Sequence, residues 1–133
     1  MTTQPKWWFD LYYNGDGGVM LGIDIISVAR VDRMVKRRWF TSFWFRPSEL
    51  DYISTRANRS ESISGAICAK EAVMKSIGRG FRQRIRPNDV QLHWTSEGKP
   101  FAEYQGRSFW IAISHSDGFA LAVALERKAN EFG

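Results

Sequence analysis

Ser60 to Gly80 reads SESISGAICAKEAVMKSIGRG, and the reading of this stretch decides the fold. At about 100° per residue, Ile63, Ala66, Ile67, Val73, Met74 and Ile77 gather on one side of a helix. Lys70 falls near the middle of that apolar stripe, while Glu71 and Lys75 sit one turn apart along its edge. A lone charge in such a position is costly or neutralises, so Lys70 calls for a charged partner. Ser60 or Ser62 suits the helix start, and Gly78 and Gly80 suit its stop.

Upstream, Val19 to Ile26, VMLGIDII, is an apolar run of strand length interrupted by Gly22 and Asp24. Strand alternation turns Asp24 away from Leu21, Ile23 and Ile25. It is either a strand-end residue that pairs locally or a functional carboxylate. Ser27 fits the N-cap of a helix from Val28 to about Trp39, with Val28, Val31 and Val35 as its buried side. Arg30, Arg33 and Arg37 form a basic stripe on another side. Such a stripe is a solvated face or a docking surface for an acidic helix or a phosphate. Phe40 to Phe45, FTSFWF, is an aromatic segment suited to burial or an interface. Pro47 then opens a short helix to about Thr55.

Downstream, Arg79, Arg82, Arg84 and Arg86 make a candidate anion site or complement the negative end of the helix dipole. The remainder is strand-like. Val90, Leu92 and Trp94 alternate with polar residues, and Ser96 to Pro100 turns into a second strand, Phe101 to Tyr104. Gln105-Gly106 leads into a third, Phe109 to His115, and Ser116-Asp117-Gly118 makes a tight hairpin into Phe119 to Glu126. Ala120, Ala122 and Ala124 give that last strand a small-residue face on which the long helix can pack. Helices followed by an antiparallel meander make an α+β domain with helices covering a sheet. The functional unit spans 19–126, flanked by an aromatic extension at 1–18, MTTQPKWWFDLYYNGDGG, and a polar tail at 127–133.

At 133 residues the chain is one domain with room for a real core. No apolar run approaches a membrane span, and the N-terminus lacks a signal pattern. The single cysteine, Cys68, excludes an internal disulfide and a cysteine-rich zinc site, and fits a reducing cytoplasm. The net charge of +5 favours anionic partners.

P-loop, dinucleotide glycine and HExxH signatures are missing. Cys68 has no activating neighbour in sequence, and His93 reads as a surface strand residue. What remains is Asp24 and Glu71 in apolar settings, with Lys70, Lys75 and Lys99 as cations. Two carboxylates on separate elements suit Mg²⁺ and a phosphate-transfer or pyrophosphate-binding layout. The same residues also fit a buried Asp24–Lys70 ion pair beside an exposed Glu71–Lys75 pair, and spacing alone leaves both open.

Four motifs in order and register carry a resemblance: Gly22-Ile23-Asp24-Ile25, Ala69-Lys70-Glu71-Ala72-Val73-Met74-Lys75-Ser76, Gly98-Lys99-Pro100 and Ile113-Ser114-His115-Ser116. From about Val19 to Glu126 the chain resembles the holo-(acyl-carrier-protein) synthases, small single-unit 4′-phosphopantetheinyl transferases. The resemblance implies the fold of that family and transfer of the phosphopantetheine arm of coenzyme A to a serine of an acyl carrier protein. It implies Asp24 and Glu71 as Mg²⁺ carboxylates, with Lys75 beside them as a third catalytic residue. Coenzyme A would meet Lys75, Gly78, Lys99, Pro100, Ser114 and His115, and the acidic carrier would meet Arg30, Arg33 and Arg37. It further implies a cytoplasmic homotrimer with sites between subunits, with neither nucleic acid nor membrane as partner. Ala66, where many members carry arginine, and Phe43 or Trp44, at a commonly basic position, depart from the pattern and point to a specialised member, one serving a polyketide carrier. The rival readings are a basic nucleic-acid-binding module and an inactive relative kept as an interaction partner.

Overall fold

The computed structural model describes residues 20–77 and 85–127. The chain runs β1 (Leu21–Ser27), α1 (Val28–Met34), α2 (Arg38–Trp44), α3 (Pro47–Ser54), α4 (Arg59–Ile77), a 3₁₀ turn (Pro87–Asp89), β2 (Gln91–Trp94), β3 (Pro100–Tyr104), β4 (Arg107–Ser116) and β5 (Phe119–Arg127). The N-terminal aromatic extension, the glycines at 78 and 80, Arg79, Arg82, Arg84 and the tail beyond Arg127 lie outside the described residues.

All five strands join one antiparallel sheet in the order β1-β5-β4-β3-β2. The expected hairpins form. Gln105 and Gly106 take φ of 47° and 76°, and Asp117 and Gly118 take 50° and 78°. Positive φ at both central residues gives tight turns whose twist matches that of the strands they join. The first strand closes the sheet against the last, from Leu21 opposite Leu125 to Ser27 opposite Phe119.

α4 lies across the sheet on its small residues. Ala120, Ala122 and Ala124 are fully buried. Cys68 reaches the Ala120 carbonyl, and a side chain added at Gly65 would press on Ile113 and His115. The other side of α4 meets the short helices, so this helix is buried on two faces, and the apolar stripe in its sequence is only one of them. Its cap is Asn58 rather than Ser60 or Ser62, with the carboxamide oxygen accepting from Glu61 N at 3.1 Å. Among the described residues, nothing covers the opposite sheet face. Ile23, Ile25, Trp110, Phe119, Leu121 and Leu125 are exposed there, and strand register makes them contiguous.

The helix expected from Val28 to Trp39 breaks after Met34. Val31, Phe40 and Trp44 are all buried. In one straight helix Phe40 would fall about 180° from Val31, facing solvent. The break lets both stripes reach the core. It also removes Arg37 from the row of Arg30 and Arg33, since Arg37 caps α2; all three are exposed.

Lys70 has its partner in Glu49, not Asp24. Its ammonium donates to Glu49 Oε1 at 2.7 Å, to the Trp44 carbonyl at 2.7 Å and to the Pro87 carbonyl at 3.1 Å. Glu49 Oε1 also accepts from Arg46 N at 2.7 Å, and Oε2 from Leu92 N at 2.6 Å. Both side chains are buried. Burial pushes the Lys70 ammonium below its ordinary range, and Glu49 pulls the other way.

Lys70→Met should therefore cost about 3–5 kcal/mol in denaturant unfolding, because it strands a buried carboxylate. Adding Glu49→Leu should recover only part of this, since Glu49 also holds two backbone N–H groups. A Lys70→Met protein within about 1 kcal/mol of wild type would contradict this role.

Candidate active site

Asp24 stands on the face of β1 that meets α4 and is 7% exposed. Its two oxygens are held separately. Oδ1 accepts from Lys75 Nζ at 2.7 Å, and Oδ2 accepts from Cys68 Sγ at 3.5 Å. The exposed Glu71–Lys75 pair considered from sequence is replaced by this Asp24–Lys75 pair. Burial, then the Asp24 charge and hydrogen bond, push the Cys68 thiol well above its usual range. It remains a protonated donor rather than a nucleophile. Nothing in the sequence reading assigned Cys68 to the site, although it lies three positions before Glu71 and so on the same flank of the helix.

Glu71 is partly buried and close enough to Asp24 for the two carboxyls to act on each other. Burial first, then Asp24, push its carboxyl up to about 8, against the opposing pull of Lys75 and Arg30. Arg30, in the first turn of α1, is near enough for its charge to act on Glu71. Glu71 is costly to ionise beside Asp24, and a divalent cation held by these carboxyls would lower that cost. Among the described residues, no group of three or more His, Cys, Asp or Glu comes together as a metal site. A two-carboxylate donor set, completed by water and substrate oxygens, is the kind Mg²⁺ takes.

Other expected residues lie elsewhere in the chain. His115 Nε2 is 2.8 Å from the Glu61 carbonyl. Glu61 precedes Glu71 by ten residues, roughly 15 Å along a helix axis, so Ser114 and His115 belong to the other end of α4. Lys99 is an exposed turn residue 3.5 Å from Glu97, and Pro100 opens β3, opposite Trp94. From β1 to β3 is three strand spacings in the sheet order, about 14 Å. One chain thus brings together Asp24, Glu71, Lys75 and Arg30, but not Ser114, His115, Lys99 or Pro100; Gly78 lies outside the described residues.

A family model for the 4′-phosphopantetheinyl transferase superfamily matches residues 20–124. The chain belongs to that superfamily. The holo-(acyl-carrier-protein) synthase of Geobacter sulfurreducens is 31% identical over 121 residues, covering 80% of this chain and 95% of the relative. The crystal structure of the Helicobacter pylori holo-(acyl-carrier-protein) synthase in complex with coenzyme A matches this phosphopantetheinyl transferase fold with a TM-score of 0.73 at 30% identity, covering 81% of this chain and 100% of that one. A holo-(acyl-carrier-protein) synthase from Bacillus anthracis, in complex with CoA (3′,5′-ADP), matches with a TM-score of 0.70 at 25% identity over 82% of this chain and 96% of that one.

The raised Glu71 carboxyl implies a pH-dependent stability. A carboxyl raised above its unfolded value stabilises fully below about 4.5, and that contribution is lost as pH climbs through about 8. Cation-free wild type should therefore lose thermal stability relative to Glu71→Gln between about pH 5 and pH 9. Parallel curves for the two proteins by differential scanning calorimetry would show that Glu71 titrates normally.

Proposed function

We propose that this chain transfers the 4′-phosphopantetheine arm of coenzyme A to a serine hydroxyl of an apo acyl carrier protein, releasing adenosine 3′,5′-bisphosphate. The observation that carries this reading is the Asp24–Glu71 carboxyl pair with Lys75 beside it, in a chain of this superfamily. Relatives that are themselves holo-(acyl-carrier-protein) synthases, one in complex with coenzyme A, supply the substrate class.

Asp24 and Glu71 would hold Mg²⁺. Bound there, Mg²⁺ supplies neutralising charge for the pyrophosphate oxygens. Lys75 fixes Asp24 and directs a second positive charge at the phosphates. Glu71 would take the serine proton, directly or through one water. The serine oxygen attacks the phosphorus next to the pantetheine arm, and the bond to the bridging oxygen breaks towards the nucleotide. Arg30 and Arg33 are exposed on α1 and would receive the acidic carrier.

The bare apolar sheet face is where copies of the chain join in a homotrimer. Association there supplies Ser114, His115, Lys99 and Pro100 of one copy to coenzyme A held at the carboxyl pair of another. A nucleic-acid-binding role leaves the Asp24–Glu71 carboxyl pair without a task.

The test mixes the protein with coenzyme A, MgCl₂ and several apo carrier proteins, and reads the intact mass of each carrier. A gain equal to one phosphopantetheine is expected. Asp24→Ala and Glu71→Gln should each lower turnover at least about a hundredfold, as losses of transition-state charge stabilisation do, with circular dichroism unchanged. Near wild-type turnover by either variant at saturating Mg²⁺ would sink the metal assignment. No mass gain with any carrier would sink the activity.

A further inference from the structure

On α2, Phe40 and Trp44 are buried, whereas Trp39 and Phe43, one turn apart on the other side, are 52% and 41% exposed. Their rings meet edge to face at 5.9 Å. Each is also braced by a buried neighbour, Trp39 on Phe40 at 5.8 Å and Phe43 on Trp44 at 6.3 Å. The pair is a braced apolar step anchored to the core, not two loose side chains. Rigid aromatic surface of this kind binds at low conformational cost.

Directly before it, Lys36, Arg37 and Arg38 are exposed, and Arg30 and Arg33 precede them on α1. Arg30 bears on Glu71. Basic and then aromatic residues thus follow one another along α1 and α2, a strip whose first member, Arg30, acts on Glu71.

We propose that Trp39 and Phe43 determine which acidic protein this enzyme accepts, by taking up an apolar side chain that projects from the partner's acidic helix. The proposal rests on the transfer reaction inferred above, since it names a property of that reaction's protein substrate. Basic residues around such a step steer and orient an acidic partner, and large buried aromatics carry most of the binding energy in interfaces. Charge selects the occupant. A second copy of this chain would bring its own lysine and arginines against these, and like charges disfavour that contact. An acidic helix with an apolar anchor complements both halves of the strip.

The experiment compares wild type with Trp39→Ala/Phe43→Ala, using as probe an apo acyl carrier protein with an acidic helix beside its acceptor serine. A second carrier has the exposed apolar residue of that helix changed to Ser. The enzyme variant should raise KM for the carrier about tenfold or more, with kcat at saturating carrier and KM for coenzyme A within about twofold. The carrier substitution should weaken binding to wild type and add little against the variant, the signature of a direct pair. Isothermal calorimetry of apo carrier on enzyme, without coenzyme A, reads the same cycle independently of turnover. It therefore tests this surface even if transfer fails. If the double variant misfolds by circular dichroism, Trp39→Gln and Phe43→Gln are run singly through the same cycle. An unchanged carrier KM, or an equal loss from the carrier substitution in both backgrounds, overturns the proposal. So does dissociation of the variant's oligomer in ultracentrifugation, which would make the step a self-contact. Sedimentation of wild type but not variant with phosphatidylglycerol vesicles would assign the strip to a membrane instead.

Discussion

The fold depends on one buried ammonium. Lys70 has three donors, and each goes to a different piece of the chain: Glu49 on α3, the Trp44 carbonyl ending α2, and the Pro87 carbonyl in the 3₁₀ turn. Glu49 passes the constraint on through Leu92 N, the second residue of β2. An apolar residue could fill the same volume, but it would not specify direction. Three fixed acceptors set both the position of α4 along the sheet and its rotation about its axis. Rotation matters for function. Glu71 lies about 100° and Lys75 about 140° around the helix from Lys70, so both project from one flank. With Lys70 locked on α3, that flank faces β1 and Asp24. A misrotated α4 would keep most of its apolar burial and lose the active-site geometry.

The sheet was readable from sequence because its signals are local. Ala120, Ala122 and Ala124 alternate with larger residues at the strand period, and Asp117-Gly118 supplies the backbone freedom that a tight hairpin demands. The helical layer was less readable. Val31 and Phe40 each read as core, but only the requirement that both face inward breaks the helix between them. Glu49 sits at the third position of a Pro-initiated helix and looks like an ordinary capping carboxylate. It does cap Arg46 N, and it also neutralises a lysine 21 residues away. No pattern in a single sequence links those two roles.

The site divides the same way. Asp24 and Glu71 stood out because a carboxylate in an apolar setting demands an explanation. Which cation meets which carboxylate did not follow, since both lysines lie within reach along a helix and only rotation chooses between them. Lys75 serves Asp24, and Lys70 serves Glu49. Cys68 carries no sequence signal of a site role, because a mid-helix cysteine ordinarily packs as a small apolar residue. Here it packs and also donates to Asp24 Oδ2. Ser114, His115, Lys99 and Pro100 stand in motifs of their own and lie away from the carboxylates within one chain. Motif order along a sequence carries no information about which motifs meet in space.

Gly22 and Asp24 form a single device. Two residues apart on a strand, they share a face. A Cβ at position 22 would overlap the Ala72 carbonyl oxygen and come 2.7 Å from Ser76 N. Strand and helix are therefore in backbone contact at that point. The contact is what allows an aspartate, with a side chain of only two carbons, to span to Cys68 and Lys75 at once. Any side chain at 22 has to lift α4 from β1, and the first separation to open is the one between Asp24 and the flank carrying Glu71 and Lys75. The cost of such a change would fall on the carboxyl pair before it fell on the core, because Lys70 and the buried alanines hold the rest of the helix in place. The glycine sets a distance, and the aspartate two residues later uses it.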